Sequence, residues 1–188
     1  MELEKAIKTR RSERFFSTKK ADWRDILNAV DYARYAPMAG NQFTLKFILV
    51  SDKKKIEKIK EACQQDFVGK ANYILVVVSD REFVKKHYDY YDKGFGAQQA
   101  GAAIQNILLG LNERGLATCW VGFFEESIIK RELSIPDKLV VEAVLPIGVK
   151  GNFPHREKFK IELDAVMFFD KYGKKYMGEE TKQEFDSV

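Results

Sequence analysis

From residue 94 to residue 112 the chain carries no charged side chain, although Asp, Glu, Lys and Arg make up 32% of the whole. Ala97, Ala100, Ala102, Ala103, Ile104, Ile107, Leu108 and Leu111 spread over most of a helix circumference, which predicts a helix buried nearly all round. A membrane span needs about 20 predominantly apolar residues, and Gln98, Gln99, Gln105 and Asn106 interrupt this one. The stretch therefore belongs in a protein core or between subunits, and Gly115 ends it.

Burying such a helix requires other layers. At 188 residues and 45% hydrophobic content the chain can form them as one domain without disulfides or metal. Helices are expected over 3–9 and 22–35, the second capped by Asp22 and closed by Ala36-Pro37. In 43–51, Phe43, Leu45, Phe47 and Leu49 alternate, with Ile48 and Val50 filling the other face, as in a strand becoming buried. A charged helix follows over 53–65. The β-branched run 74–78 has no alternation, as expected of a central strand with helices on both sides. A strand over 116–121, a short helix over 125–133, the turn Ser134-Ile135-Pro136-Asp137 and a strand over 140–149 complete the unit. The apolar stretch 165–169 places its boundary at 170, leaving 171–188 as a polar tail.

Several classes fall away on composition. Cys63 and Cys119 have no metal-ligand or disulfide spacing and read as reduced, packed thiols. His87 and His155 have no partner at metal-ligand spacing, so no metal is expected. The first residues, Met1-Glu2-Leu3-Glu4-Lys5, lack a signal-peptide pattern, and a cytoplasmic location is expected. The net charge of +4 is dispersed among alternating acids and bases, as in 53–61, which fits a solvated helix face better than a nucleic-acid surface. The dinucleotide, Walker-type and nucleophile-turn glycine motifs are absent. A bound cofactor carrying the chemistry fits this shortage of acid–base residues, and no catalytic side chain is assigned.

Four segments have the right chemistry to hold one. Arg10-Arg11-Ser12-Glu13-Arg14 concentrates three guanidinium groups and a hydroxyl, a donor set suited to an oxyanion, though a basic surface turn has the same composition. In Ala36-Pro37-Met38-Ala39-Gly40-Asn41, small residues let backbone approach a flat ligand and Asn41 both donates and accepts. An ordinary helix-to-strand loop would look similar. Trp120-Val121-Gly122-Phe123 stands at the C-terminal end of a strand, where open α/β sheets bind ligands and where turns also put glycine. Arg156-Glu157-Lys158-Phe159-Lys160 is a second basic cluster, or a lysine-protected sheet edge.

Taken in order, these segments resemble the nitroreductase family of FMN-binding proteins over residues 3 to about 169. Arg10, Ser12 and Arg14 match the family's Arg-x-Ser-x-Arg signature, with Arg11 at a further flavin-contacting position. The loop with Pro37, Met38, Ala39 and Asn41 looks like the family's Ala/Ser-Pro-x-x-x-Asn segment, and Gln105-Asn106 falls at the Gln-Asn of its dimer-core helix. Gly115-Leu116-Ala117-Thr118-Cys119-Trp120-Val121-Gly122 is similar to the strand after which backbone approaches flavin N5. Ile135-Pro136 and Ile147-Gly148 match later turns, and Lys158-Phe159-Lys160 resembles a phosphate-contacting Lys-x-Arg. This chain departs in having Gln42-Phe43-Thr44 where relatives have Gln-Pro-Trp, Gln99 where an acidic residue is usual, and Lys160 in place of arginine.

The resemblance implies an α+β sandwich, a mixed but mainly antiparallel sheet flanked by helices, in an intertwined homodimer with two FMN sites. It implies phosphate and ribityl binding by Arg10, Arg11, Ser12, Arg14, Lys158 and Lys160, approach to the ring by Pro37, Met38, Ala39, Val121 and Gly122, and a hydrogen bond from Asn41 to the ring system or the ribityl chain. NADH or NADPH would reduce the flavin at N5, and a small-molecule electron acceptor such as a nitroaromatic or quinone would follow it. A flavin-binding module without turnover, or a relative acting as dehalogenase or dehydrogenase, has the same binding residues.

Overall fold

Acidic side chains placed just ahead of apolar runs start three of the helices. Asp22 accepts a hydrogen bond from Arg24 N (2.9 Å), Asp52 from Lys55 N (2.9 Å) and Glu125 from Ser127 N (3.4 Å), each satisfying an N–H that the first helical turn leaves open. The computed structural model describes residues 2–83, 94–152 and 158–177. Its helices are α1 (Leu3–Thr9), α2 (Trp23–Asp31), α3 (Lys53–Cys63), α4 (Phe95–Glu113), α5 (Glu126–Leu133) and α6 (Leu163–Val166). Its strands are β1 (Leu45–Val50), β2 (Tyr73–Ser79), β3 (Leu116–Thr118) and β4 (Val140–Val149). Helix α2 tightens into a 3-10 turn over Tyr32–Tyr35 before Pro37, which divides the single helix expected over 22–35.

The strands lie in the order β1-β2-β4-β3, and all three pairings are antiparallel. No parallel pairing occurs among the described residues, so the mixed character expected of the sheet is not seen there. Strand β2 is central and buried throughout, as its β-branched sequence demands. Tyr73, Leu75 and Val77 face α2 and α4 through Ile26, Ala29, Ile104, Ile107 and Leu111. Ile74, Val76 and Val78 face α3 and α5 through Ile56, Ile59, Ala62 and Ile129. The register shifts between Val77, opposite Ala143, and Val78, opposite Val141, leaving Glu142 as the extra residue of a β-bulge. Its carboxylate is held by Arg81 Nε at 2.8 Å and Arg81 Nη2 at 2.6 Å, and it also accepts from the Ser79 hydroxyl.

Helix α4 corrects one expectation. Gln99, Ala100, Ala103, Ile104, Ile107, Leu108 and Leu111 are buried, but Ala97, Gln98 and Gln105 are exposed and Gly101, Ala102 and Leu109 half-buried. One chain covers only one side of its uncharged helix. No helix among the described residues is long and apolar enough to cross a membrane.

The chain divides into two compact units, Met1–Phe153 and Pro154–Val188. Within the second unit, residues on either side of position 170 pack together. Phe168 lies against Tyr172 with ring centroids 4.7 Å apart, Lys175 Nζ sits 4.4 Å over the Phe168 ring, and Phe169 N donates to Lys174 O (2.8 Å).

The closest helix packing makes a prediction. A Cβ on Gly110 would stand 2.8 Å from Tyr32 Cδ2 and 3.1 Å from Ala29 Cα and Cβ, so only glycine lets α4 meet α2 at this distance. Gly110→Ala should cost about 1–2 kcal/mol, overpacking of ~1–3 kcal/mol outweighing the ~1 kcal/mol gained in helix propensity. Urea denaturation of the two proteins measures it.

Candidate functional site

The segment after α1 owes its position to backbone pairing. Asn112 Nδ2 donates to Ala6 O (3.1 Å) and Thr9 Oγ1 (2.9 Å), tying the end of α1 to the end of α4. Arg10 leaves the helix extended, and Glu13 N donates to Thr118 O (2.8 Å). Phe16 then bridges Lys150 and Ser17 N donates to Val149 O (2.8 Å). Residues 13–17 thus run along β3 and the end of β4. Phe16 is seated on Gly148, whose absent Cβ would lie 2.8 Å from Phe16 Cδ1. The Glu13 carboxylate, only 14% exposed, pairs with Lys150 Nζ at 3.3 Å.

This seat gathers Arg10 and Arg11, both half-buried, with the exposed Ser12 and Arg14. Arg14 Cζ lies 5.6 Å from the centroid of the Phe67 ring, so the 3-10 turn Asp66–Lys70 borders the same place. Thr118, 4% exposed, has a hydroxyl Oγ1 with no hydrogen-bond partner among the described residues. A buried orphan hydroxyl is costly unless a ligand or water satisfies it. Past β3, Val121 exchanges both backbone hydrogen bonds with Val144 at 3.0 Å, which leaves its amide no free donor. Gly122 N–H is unengaged among the described residues, and a Cβ there would meet nothing within 4 Å. Trp120 and Phe123 flank it, 40% and 71% exposed.

The second expected segment lies elsewhere. Pro37 ends α2's extension, and a 3-10 turn over Ala39–Asn41 puts two successive residues in the left-handed region, Gly40 at φ 57° and Asn41 at φ 56°. Pro37 and Asn41 are exposed, Met38 and Ala39 half-buried. The loop is anchored by Gln99, in the first turns of α4, whereas the Arg10–Arg14 segment is anchored near Asn112, in its last. With about 1.5 Å of rise per residue, those anchors stand about 20 Å apart along the axis. One chain therefore sets the two groups at opposite ends of α4.

Lys158 and Lys160 are exposed and belong to the second unit, so the motif alone assigns them. His87, His155, Arg156 and Glu157 lie outside the described residues. Both cysteines are buried, and burial pushes the Cys63 thiol up to about 12, which suits a packing role. Sequence reasoning missed Thr118 as an open hydroxyl, Gly148 as a seat for Phe16, and Gln99 as a clamp. The signal for the last was visible as a polar residue inside an uncharged helix. The other two depend on partners more than 100 residues away in sequence.

The guanidinium-bearing segment and the Thr118 hydroxyl, which has no partner among the described residues, thus lie on an antiparallel sheet covered by helices on both faces, and the protein is of the α+β class. The chain belongs to the nitroreductase family, whose model ("Nitroreductase family") matches residues 7–67 and 59–149. A protein of Archaeoglobus fulgidus named "Putative NADH dehydrogenase/NAD(P)H nitroreductase" is 33% identical over 165 residues, covering 85% of this chain and 90% of that one. The structure of a nitroreductase family protein from Clostridium novyi NT superposes with a TM-score of 0.76 at 30% identity, covering 96% of this chain and 100% of that one. Iodotyrosine deiodinase bound to FMN and 3-iodo-L-tyrosine shares the fold, with a TM-score of 0.74 at 20% identity over 89% of this chain and 100% of that one.

Gly148→Ala should push Phe16 off its seat and cost about 1–3 kcal/mol. Amide hydrogen exchange should speed up at Glu13 and Ser17, whose bonds to Thr118 and Val149 depend on that seat. Unchanged protection at both amides would show that Phe16 does not hold the segment.

Proposed function

We propose that this protein is an FMN-dependent oxidoreductase that uses NADH or NADPH to reduce an electron-poor acceptor such as a nitroaromatic or a quinone. The observation that carries the reading is the docking of the Arg10–Arg14 segment on the backbone of Thr118, whose buried hydroxyl has no partner among the described residues. Guanidinium groups match phosphate oxygens in charge and in bidentate geometry. When bound, FMN supplies hydride transfer at N5 between the nicotinamide and the acceptor.

The chain's own residues supply binding and orientation. Arg10, Arg11 and Arg14 offset the phosphate charge, and Ser12 donates to it. Thr118 offers its hydroxyl to the ribityl-phosphate end. The Val121–Val144 pair fixes the strand end, so that Gly122 presents its N–H to the polar edge of the ring without first reorganising. Asn41, with Pro37, Met38 and Ala39, lies at the other end of α4, so it completes the site only from a second copy. The open face of α4 around Ala97, Gly101 and Gln105 is where that copy packs, in the isologous arrangement commonest for homodimers.

Purified protein should be yellow, bleach anaerobically on addition of NADH or NADPH, and recover its colour when the acceptor follows. A colourless protein that takes up no added FMN sinks the assignment, and a bound flavin that never bleaches leaves a binding module. Each of Arg10→Ala and Arg14→Ala removes charge-assisted hydrogen bonds of about 1.5–3 kcal/mol, so flavin affinity should fall roughly 10- to 100-fold, read by fluorescence titration. A double variant that purifies with full flavin would falsify the phosphate site.

A Cβ at Gly101 meets nothing within 4 Å in the single chain. Gly101→Arg should thus keep the secondary structure while producing a monomer in sedimentation and losing flavin. A flavin-loaded monomer would show that one chain builds the site alone.

A further inference from the structure

Gln99 is 4% exposed and uses both ends of its side-chain amide on the segment that follows Asn41. Its Oε1 accepts from Thr44 N (3.2 Å) and from the Thr44 hydroxyl (2.9 Å), and its Nε2 donates to Gln42 O (2.8 Å). Thr44 O in turn accepts from Asp80 N (3.1 Å), so the loop end is tied to α4 on one side and to the chain leaving β2 on the other.

Just upstream, Gly40 and Asn41 hold left-handed backbone. Asparagine tolerates that region better than most residues but does not prefer it. The local hydrogen bonds there are Asn41 N to Met38 O at 3.3 Å and Gln42 N to Ala39 O at 3.1 Å, the first of them long. Something outside the loop must keep it in this form. The Asn41 side chain is exposed and makes no hydrogen bond among the described residues, so the loop presents it.

We propose that Gln99 is the positioning residue of the asparagine loop: its amide clamps Gln42 and Thr44, and so holds Asn41 in the left-handed conformation that aims its side chain at the flavin of the partner's site. The inference rests on the FMN reading for its purpose, though the clamp stands by itself. The carboxamide is required because the site offers two donors on one side and a carbonyl acceptor on the other. An ionised carboxylate satisfies the donors but faces Gln42 O with a second lone-pair oxygen. A protonated carboxyl satisfies all three. On β1 and the chain leaving β2, the charged side chains among the described residues are the exposed Lys46, then Asp80, Arg81 and the exposed Glu82. Asp80 Oδ1 accepts from Phe83 N, and Arg81 passes its stem against Gly96 with its guanidinium on Glu142.

Gln99→Met and Gln99→Glu in the full chain test this. Gln99→Met should speed amide exchange at Thr44 by about tenfold or more, by freeing its donor. FMN affinity should weaken by about tenfold, with both effects flat in pH. Gln99→Glu should weaken FMN affinity at about pH 8, where its carboxylate still accepts from Thr44 but opposes Gln42 O, and recover toward the wild type as the pH falls to about 5, because burial and the facing carbonyl favour the neutral acid, which restores the donor. Unchanged Thr44 exchange in Gln99→Met, or a pH-independent Gln99→Glu, overturns the proposal. If Gln99→Met fails to fold, Gln99→Glu and Thr44→Val decide it, the latter losing one of three bonds and shifting exchange and affinity by a smaller factor; no shift in either counts against the clamp. If the wild type binds no FMN, the functional reading fails, and the exchange data still judge the clamp.

Discussion

A helix without a single charged residue between 94 and 112 has to be covered, and most of this structure is arranged around covering it. The sheet supplies one wall through Leu75, Val77, Leu145 and Ile147, and α2 supplies another through Ile26, Ala29 and Ala33. Gly110 lets α2 approach close enough to exclude solvent. What remains open is a strip of alanine, glycine and glutamine with neither the charge of a solvated face nor the large apolar side chains of an aggregation-prone one. Such a strip suits a close, polar-tolerant contact between helices.

The cationic segment illustrates how a fold concentrates like charges. Arg10, Arg11 and Arg14 repel one another, and a free loop would let them diverge. Here the backbone is held by bonds to Thr118 and Val149, and Phe16 is pinned by the missing side chain of Gly148. Glu13 sits within the same segment but turns to Lys150, so its carboxylate steadies the seat. Held in this way, the backbone that carries the guanidinium groups cannot spread to relieve their repulsion.

Much of this was legible from the residues. The helix start at Asp22 follows from its capping side chain, and the burial of β2 on both faces follows from its unbroken β-branched run. The extent of β4, Val140–Val149, matches the expected strand. The bulge at Glu142 was not legible, because a carboxylate inside a strand becomes intelligible only once Arg81 and Ser79 are seen to converge on it. The half-open state of α4 was hidden for a related reason. Periodicity tells which residues avoid water and cannot tell whether the same chain or another provides the cover. Among the site residues, the Arg10–Arg14 segment is docked on Thr118, the Pro37–Asn41 loop is placed at the far end of α4, and Val121 has its amide already engaged by Val144.

The pattern of satisfied and unsatisfied polar groups separates scaffold from binding surface better than exposure does. Gln99 and Glu142 are polar, inside and fully engaged, and they shape backbone around them. Val121 has its backbone donor and acceptor saturated by Val144. Among the described residues, Gly122, one position further on, has an idle amide in open space, the Thr118 hydroxyl is buried without a partner, and Asn41 carries an unused amide on left-handed backbone. Each idle group is adjacent in sequence to a saturated one: Asn41 beside Gln42, Gly122 beside Val121, and the Thr118 hydroxyl on a residue whose carbonyl receives Glu13 N–H. A buried or strained polar group left open costs stability. Placing each beside a rigid anchor localises that cost at the positions where a ligand would relieve it.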